Sequence, residues 1–171
     1  MGPTFCVLLP RPLGEADMDA INDWLRDRTT WLKRRGIEWE FQLAPRSCIS
    51  MLAVVPFGAE SRGDGTATRV SMPTEVQYEF QISLLWLPKV SIQLDNLCRS
   101  DLAGHKMLAE CAAHFARLHG GVIEIGSAAN NADIVSGRRF ELNEPGAPEN
   151  LLVDADFMDE WVRHPLFHLQ G

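Results

Sequence analysis

The feature that most constrains the fold of this chain is a set of short runs in which apolar and polar residues alternate. Residues 37–43 and 90–95 both place apolar side chains at every second position. Because successive side chains of a strand point to opposite faces of a sheet, this spacing predicts strands with one buried face. Shorter or more continuously apolar runs predict further strands at 5–9, 48–55, 122–125, 139–142 and 151–153.

Apolar residues at helical spacing predict two long helices and a short one near the C-terminus. The first is predicted over 15–35, with acidic residues in its early turns and Gly36 as its stop. Lys33–Arg35 would then complement the helix dipole, and a phosphate-binding patch is the alternative interpretation. The second helix is predicted over 101–119 and the third over 154–163, where Asp154 can cap the first turn.

The segment 74–87 fits two structures. Every second residue from Val76 to Leu84 is apolar, which favours a strand. Val76, Phe80, Leu84 and Leu87 also form a stripe at helical spacing, so a helix stays open as the alternative. We predict a strand because apolar residues recur at every second position.

The order of these elements predicts an α+β fold. We expect a mainly antiparallel sheet with two long helices and a short C-terminal helix packed on it, in a single domain over residues 1–171. Residues 58–69 have no apolar period and predict an exposed loop. Residues 143–150 predict a second loop.

The charge and hydropathy of the chain exclude two classes of partner. The formal net charge is −7, whereas a general nucleic-acid binder needs a basic surface to neutralise phosphates. No apolar run approaches the length of a membrane span, and the N-terminal residues lack the basic start of a signal peptide. We therefore expect a cytoplasmic protein.

No motif in the chain forms a complete catalytic or metal-binding site. Cys6, Cys48, Cys98 and Cys111 form no close pair, so we interpret them as buried, reduced, small apolar residues; a metal site or a nucleophile is the alternative. There is no H-E-x-x-H pair, no G-x-S-x-G turn and no phosphate loop. We predict no catalytic residue, no metal and no cofactor.

The histidines divide into two groups. His105, His114 and His119 lie on the second predicted helix at spacings that do not let them share a metal ion. His164 and His168 flank Pro165, which makes a continuous helix between them unfavourable. We interpret this second pair as packing or hydrogen-bonding residues, with partner contact and a metal or catalytic role as the alternatives.

Acidic residues concentrate between residues 122 and 160, where few basic residues accompany them. The plain interpretation is a solvated acidic surface. The alternative is an acidic face for a basic partner, which would speed encounter and add specificity. The candidate partner-binding residues are Asp133, Glu141, Glu144, Glu149, Asp156 and Glu160.

The C-terminal segment is too apolar to be a frayed terminus. It runs from Asp154 to His168 as D-A-D-F-M-D-E-W-V-R-H-P-L-F-H, and we expect Phe157, Trp161, Leu166 and Phe167 to be largely buried.

This block, with the helix ending in Gly-Gly before the strand at 122–125, resembles a family of small cytosolic bacterial immunity proteins. Members of this family are encoded beside polymorphic toxins, and these toxins are of the Rhs type or are secreted by type VI systems. The resemblance covers roughly the last seventy residues, from about His105.

The resemblance implies a small cytosolic binding protein that neutralises a cognate toxin by stoichiometric occlusion. A toxin domain with a basic cleft would suit an acidic protein. Two other functions stay open. One is a small enzyme that reverses a toxin's modification, using a histidine with a carboxylate or cysteine. The other is a housekeeping binding or scaffold domain.

Overall fold

The computed structural model describes residues 4–43, 47–69, 74–98, 100–125, 136–141, 151–165 and 167. In chain order, the elements are β1 (Thr4–Leu9), α1 (Glu15–Arg26), β2 (Trp31–Arg35), β3 (Glu38–Gln42), β4 (Ser50–Pro56), β5 (Ala59–Ser61), β6 (Ala67–Arg69), α2 (Thr74–Leu84), β7 (Val90–Asn96), α3 (Leu102–His119), β8 (Val122–Ile125), β9 (Arg139–Glu141), β10 (Leu151–Val153) and α4 (Ala155–Arg163).

Eight of the strands form one antiparallel sheet in the order β2-β3-β4-β7-β1-β8-β10-β9. The central strands pair in continuous register, with Leu9 opposite Val90 and Val55 opposite Ser91. The predicted α+β fold with a mainly antiparallel sheet and a short C-terminal helix is confirmed.

The helices α1, α3 and α4 pack on one face of this sheet, which we call the helix side. Their apolar stripes meet the inward side chains of the strands, since alternate strand residues share a face. Phe157, Trp161 and Phe167 are buried here, as predicted, whereas Leu166 lies outside the described residues. The core on this side includes Ile21, Leu25, Trp39, Phe41, Ile92, Leu108 and Phe115.

The opposite face, which we call the outer side, is covered in part by two smaller units. Phe80 and Leu84 of α2 pack on sheet residues that include Leu8 and Leu152. The hairpin β5–β6 packs Ala59 against β4. The rest of this face carries polar strand positions.

The first helix is shorter than predicted. It ends at Arg26, and Trp31–Arg35 form the edge strand β2, so the prediction of a helix to Arg35 is wrong. Leu32 follows Leu25 by seven residues and therefore continues the helical spacing, yet it packs from a strand. Gly36, with φ of +58°, lies in the two-residue turn between β2 and β3, where a glycine readily adopts positive φ.

Two further predictions are corrected on the outer side. Residues 74–84 form α2, so the strand is wrong and the helical alternative is correct. The alternation arose because α2 has apolar residues on both its inward and its outward faces. Residues 58–69 include the hairpin β5–β6 rather than forming a loop throughout. The predicted loop at 143–150 lies outside the described residues.

A disulfide joins Cys48 and Cys98, so the interpretation of all four cysteines as reduced is wrong for this pair. Ser50 lies opposite Asn96 at the end of the β4–β7 ladder, and two more residues along each strand bring the two cysteines face to face. Fifty residues separate them in sequence, so no local spacing indicates the pairing. Cys6 and Cys111 are free thiols.

Candidate partner-binding surface

The predicted partner-binding residues do not form one cluster among the described side chains. Asp156 and Glu160 lie on α4, on the helix side. Glu141 ends the edge strand β9, and nothing is described of its side chain. Asp133, Glu144 and Glu149 lie outside the described residues. The six residues therefore stay a prediction.

On the helix side, carboxylates face cations. Arg117 of α3 contacts Asp156 at 2.9 Å and Asp159 at 2.8 Å, which ties α3 to α4. Glu160 accepts a hydrogen bond from the backbone N–H of Ser136 at 2.8 Å. Arg34 contacts Asp19 at 3.2 Å and so links β2 to α1. These acidic residues therefore hold elements together, and exposed pairs of this kind contribute little net stability.

On the outer side, carboxylates predominate over cations. Glu40 lies opposite Met51, which lies opposite Asp95, so the two acids share one row across the sheet about 10 Å apart. Glu124 lies opposite Cys6 on the neighbouring strands. The described carboxylates of this side are Glu38, Glu40, Glu60, Asp64, Glu79, Asp95 and Glu124; the described cations are Lys33 and Arg35 of the edge strand β2, which lie opposite Glu40 and Glu38, with Arg62 and, at the start of β7, Lys89.

Glu38 fixes the hairpin over this face. Its side chain is buried and accepts hydrogen bonds from the backbone N–H groups of Gly63, at 2.9 Å, and Gly65, at 2.8 Å, and from the Ser61 hydroxyl. A Cβ on Gly65 would meet the Arg35 carbonyl oxygen at 2.9 Å, so the loop lies directly on the β2–β3 turn. The exposed residues Glu60 and Asp64 are thereby held beside the acidic row.

A second cluster of titratable residues lies on the helix side, where β1, α1 and α3 meet. Arg11 binds both oxygens of Asp17, at 2.9 and 3.0 Å, and the backbone N–H of Gly14 also donates to Asp17. The Arg11 hydrogen bonds and the Gly14 bond hold the pKa of Asp17 far below its usual range. His119 Nδ1 lies 3.1 Å from Arg11 Nη2 and 3.8 Å from Asp17 Oδ1.

This cluster contains residue types that can act as a general base, but a substrate cannot reach them. The His119 side chain is 3% exposed, and its Nε2 has no hydrogen-bond partner within the described chain. Its Nδ1 is held by Arg11, so neither nitrogen is presented to a substrate. Burial lowers the pKa of His119, with Arg11 adding to the effect and Asp17 opposing it. The arrangement fits a neutral, packed histidine.

The free thiols are poor nucleophiles. Burial and the nearby Glu124 carboxylate raise the pKa of Cys6 to about 12, and burial raises the pKa of Cys111 well above its usual value. Because the thiolate is the reactive form, both thiols stay protonated at neutral pH.

Two grooves between described residues also lack a reactive pair. One of about 420 Å³ lies between the end of α1 and β2 and is lined partly by Asn22, Trp31 and Arg34. Another of about 220 Å³ lies between the end of α3 and the start of α4. Neither lining contains a histidine or cysteine. No group of three or more potential metal-ligating side chains comes together in the described ranges.

The strand acids were not among the predicted site residues, although the sequence carries a signal for them. Glu38 and Glu40 occupy the polar positions of an alternating strand, and Glu124 does so in β8. Which face the polar positions share follows only once the strand order is known. The predicted site residues were chosen where acidic residues are frequent along the sequence. The sheet instead brings together acidic residues from strands that are distant in sequence.

Comparison with other proteins gives one match. No curated protein and no solved structure matches the chain, and no helix in the described part of the chain is long and apolar enough to cross a membrane. A family model described as a family of unknown function, DUF6368, matches residues 1–170. Because that match spans nearly the whole sequence, the chain belongs to the DUF6368 family.

Proposed function

We propose that this protein is a cytoplasmic immunity protein that binds a cognate toxin domain and blocks its active site in a stoichiometric complex. The C-terminal block supports this through its resemblance to immunity proteins encoded beside polymorphic toxins. The toxin domain that suits this chain has a basic surface, because the chain carries a net charge of −7.

The observation that carries the proposal is the unequal distribution of charge between the two sides of the sheet. On the helix side, acids such as Asp156, Asp159 and Asp19 meet arginines of the same protein. On the outer side, acids from three strands, the hairpin and α2 outnumber the described cations, of which Lys33 and Arg35 lie at its edge, opposite Glu40 and Glu38. Such a one-sided field attracts and orients a basic partner.

Binding through the outer side requires little rearrangement of the protein. Glu40, Asp95 and Glu124 lie on strands that are paired on both sides, and Glu38 anchors the hairpin beside them. A surface on rigid elements loses little conformational freedom when a partner binds.

In the cytoplasm, Cys48 and Cys98 would face each other as thiols, because cytosolic reductants keep such pairs reduced. β4 and β7 pair from Ser50 to Pro56 through backbone hydrogen bonds that do not involve the disulfide. The outer side therefore keeps its arrangement in either redox state.

The test compares two charge-reversed triple variants that change the net charge equally. Glu40→Lys, Glu60→Lys and Glu79→Lys alter the outer side. Asp23→Lys, Asp27→Lys and Glu110→Lys alter exposed positions of the helix side. Binding to the toxin domain encoded immediately upstream, and rescue from its toxicity, are measured for each. We expect the outer triple to slow association by roughly tenfold or more at low salt, and the control triple to change it far less.

Three outcomes would contradict parts of this proposal. No complex and no rescue with the unaltered protein would overturn the immunity function. Rescue at substoichiometric amounts would favour an enzyme. Equal losses in both triples would assign the effect to net charge rather than to the outer side. A third variant with lysine at Asp133, Glu141, Glu144, Glu149, Asp156 and Glu160 tests the C-terminal acids in the same assay.

A further inference from the structure

Helix α2 presents apolar side chains to solvent. Tyr78, Ile82 and Leu85 are 62%, 53% and 88% exposed, and they follow one another at spacings of four and three residues. On a helix the spacing of four places Tyr78 and Ile82 on one face, and Leu85, which directly follows the last helical residue, extends the exposed apolar run beyond the helix end. The stripe points away from the sheet, because Phe80 and Leu84 on the opposite face are buried against it.

A helix that is apolar on both faces is typical of one buried on both sides. The inward face of α2 has its partner in the sheet. The outward face has large side chains that contribute nothing to that packing. Contiguous exposed apolar side chains mark interaction surfaces more often than isolated ones do.

The backbone at Leu85 adds an independent observation. Leu85 has φ of +62°, a left-handed conformation at the helix end that favours glycine. Its side chain is the most exposed of the large apolar residues, so packing in the fold does not explain a leucine at this position. Strained residues of this kind concentrate at functional surfaces.

The charge around the stripe identifies the kind of occupant. α2 has no basic residue, its described acid is Glu79, and the outer side beside it is rich in carboxylates. Two copies of the chain packed through α2 would bring these acids together on proteins that each carry a net charge of −7. A basic protein partner would meet opposite charge around an apolar centre, which is the usual layout of a protein interface.

We propose that Tyr78, Ile82 and Leu85 form the apolar anchor through which the outer side grips a basic protein partner. This inference rests on the proposed function, and the partner is the toxin domain. The acidic row and the hairpin form the charged surround, and the stripe supplies the contact that excludes water. Anchors of this kind slow dissociation, whereas the surrounding charges act on association.

The experiment measures the affinity and dissociation rate of the purified upstream toxin domain with matched variants. Tyr78→Ser with Ile82→Ser removes the stripe. Leu102→Ser with Leu118→Ser is the control, because these leucines of α3 are 50% and 56% exposed. We expect the stripe variant to raise the Kd by roughly tenfold or more through faster dissociation, and the control to leave it nearly unchanged.

Leu85→Gly separates binding from folding. Glycine accepts the positive φ, so thermal unfolding should occur at the same or a higher temperature while the toxin domain dissociates faster. Weaker binding of a protein that is no less stable supports the anchor.

Each remaining outcome is decisive. If the unaltered protein binds and the stripe variant binds equally well, the anchor is wrong and the immunity function stands. If the unaltered protein does not bind, both fail. If sedimentation shows that the unaltered protein is a dimer and that the stripe variant is a monomer, the occupant is a second copy and the proposal is overturned.

Discussion

His119 shows how a single buried residue makes stability depend on pH. Burial lowers its folded-state pKa below the ordinary value of 6.5. Above about pH 6.5 both folded and unfolded states hold it neutral, and it adds no pH dependence. As the pH falls further, the unfolded state takes up the proton first, so the folded state loses stability until its own pKa is passed.

We therefore expect the free energy of unfolding to fall as the pH is lowered from about 7 to about 5, and His119→Gln to flatten this slope. Urea unfolding at several pH values measures it. His114, stacked on Trp24, has a pKa that burial also lowers, so a double variant should flatten the slope more. An unchanged slope in both variants would show that neither imidazole resists protonation in the folded state.

The burial of single residues was predictable from sequence where the size and polarity of the side chain decide it. Phe157, Trp161 and Phe167 are large and apolar, and all three are buried. The partners of polar residues were not predictable. Arg11 and His119 are 108 residues apart, and only the meeting of β1 with the end of α3 brings them together.

At the level of elements, α4 depends on its aromatic residues. Trp161 is 1% exposed and packs edge-to-face on Phe167, with ring centroids 5.1 Å apart. We expect Trp161→Ala to lower the free energy of unfolding by about 3–5 kcal/mol, because a large cavity opens in the core. Arg163→Ala, at an exposed position on the same helix, is the control and should change it by less than about 0.5 kcal/mol. Similar small losses in both variants would contradict the buried role.

β3 and β7 were predictable because their period of two survives in the sequence, and β1, β4, β8 and β10 because short apolar runs fit buried strands. β2 was missed because an edge strand needs few apolar residues, and Leu32 alone does not establish a period. The glycine and isoleucine between β2 and β3 gave a hairpin signal that the continuing helical spacing outweighed. α2 was assigned wrongly because an exposed apolar stripe adds to a buried one and imitates alternation.

At the scale of the whole molecule, the Cys48–Cys98 disulfide closes a loop of fifty residues between two central strands. In the chain-entropy view, such a link stabilises the oxidised protein by about 4 kcal/mol relative to the reduced one. We expect reduction with a thiol reagent to lower the free energy of unfolding by up to that amount. Cys48→Ser with Cys98→Ser should match the reduced protein, and Cys6→Ser should still respond to reduction.

Titration of free thiols in the unfolded, unreduced protein gives the measurement that could contradict the disulfide. If all four cysteines react, the pair was never joined and the reduced form is the native one. The sequence could not show this pairing, because the register that places the two cysteines opposite each other exists only once β4 and β7 have paired.

The sheet ends on one side at β2, whose exposed side chains include Trp31, Lys33 and Arg35. The open edge of a sheet offers main-chain groups to any extended segment, with little regard to its sequence. A basic segment approaching this edge would meet cations of the same sign. The cations of the edge strand would therefore disfavour strand addition by a basic segment, although Lys33 and Arg35 share the outer side with Glu40 and Glu38. Under the proposed immunity function, this edge would leave recognition of the toxin to side chains and would disfavour capture by strand addition.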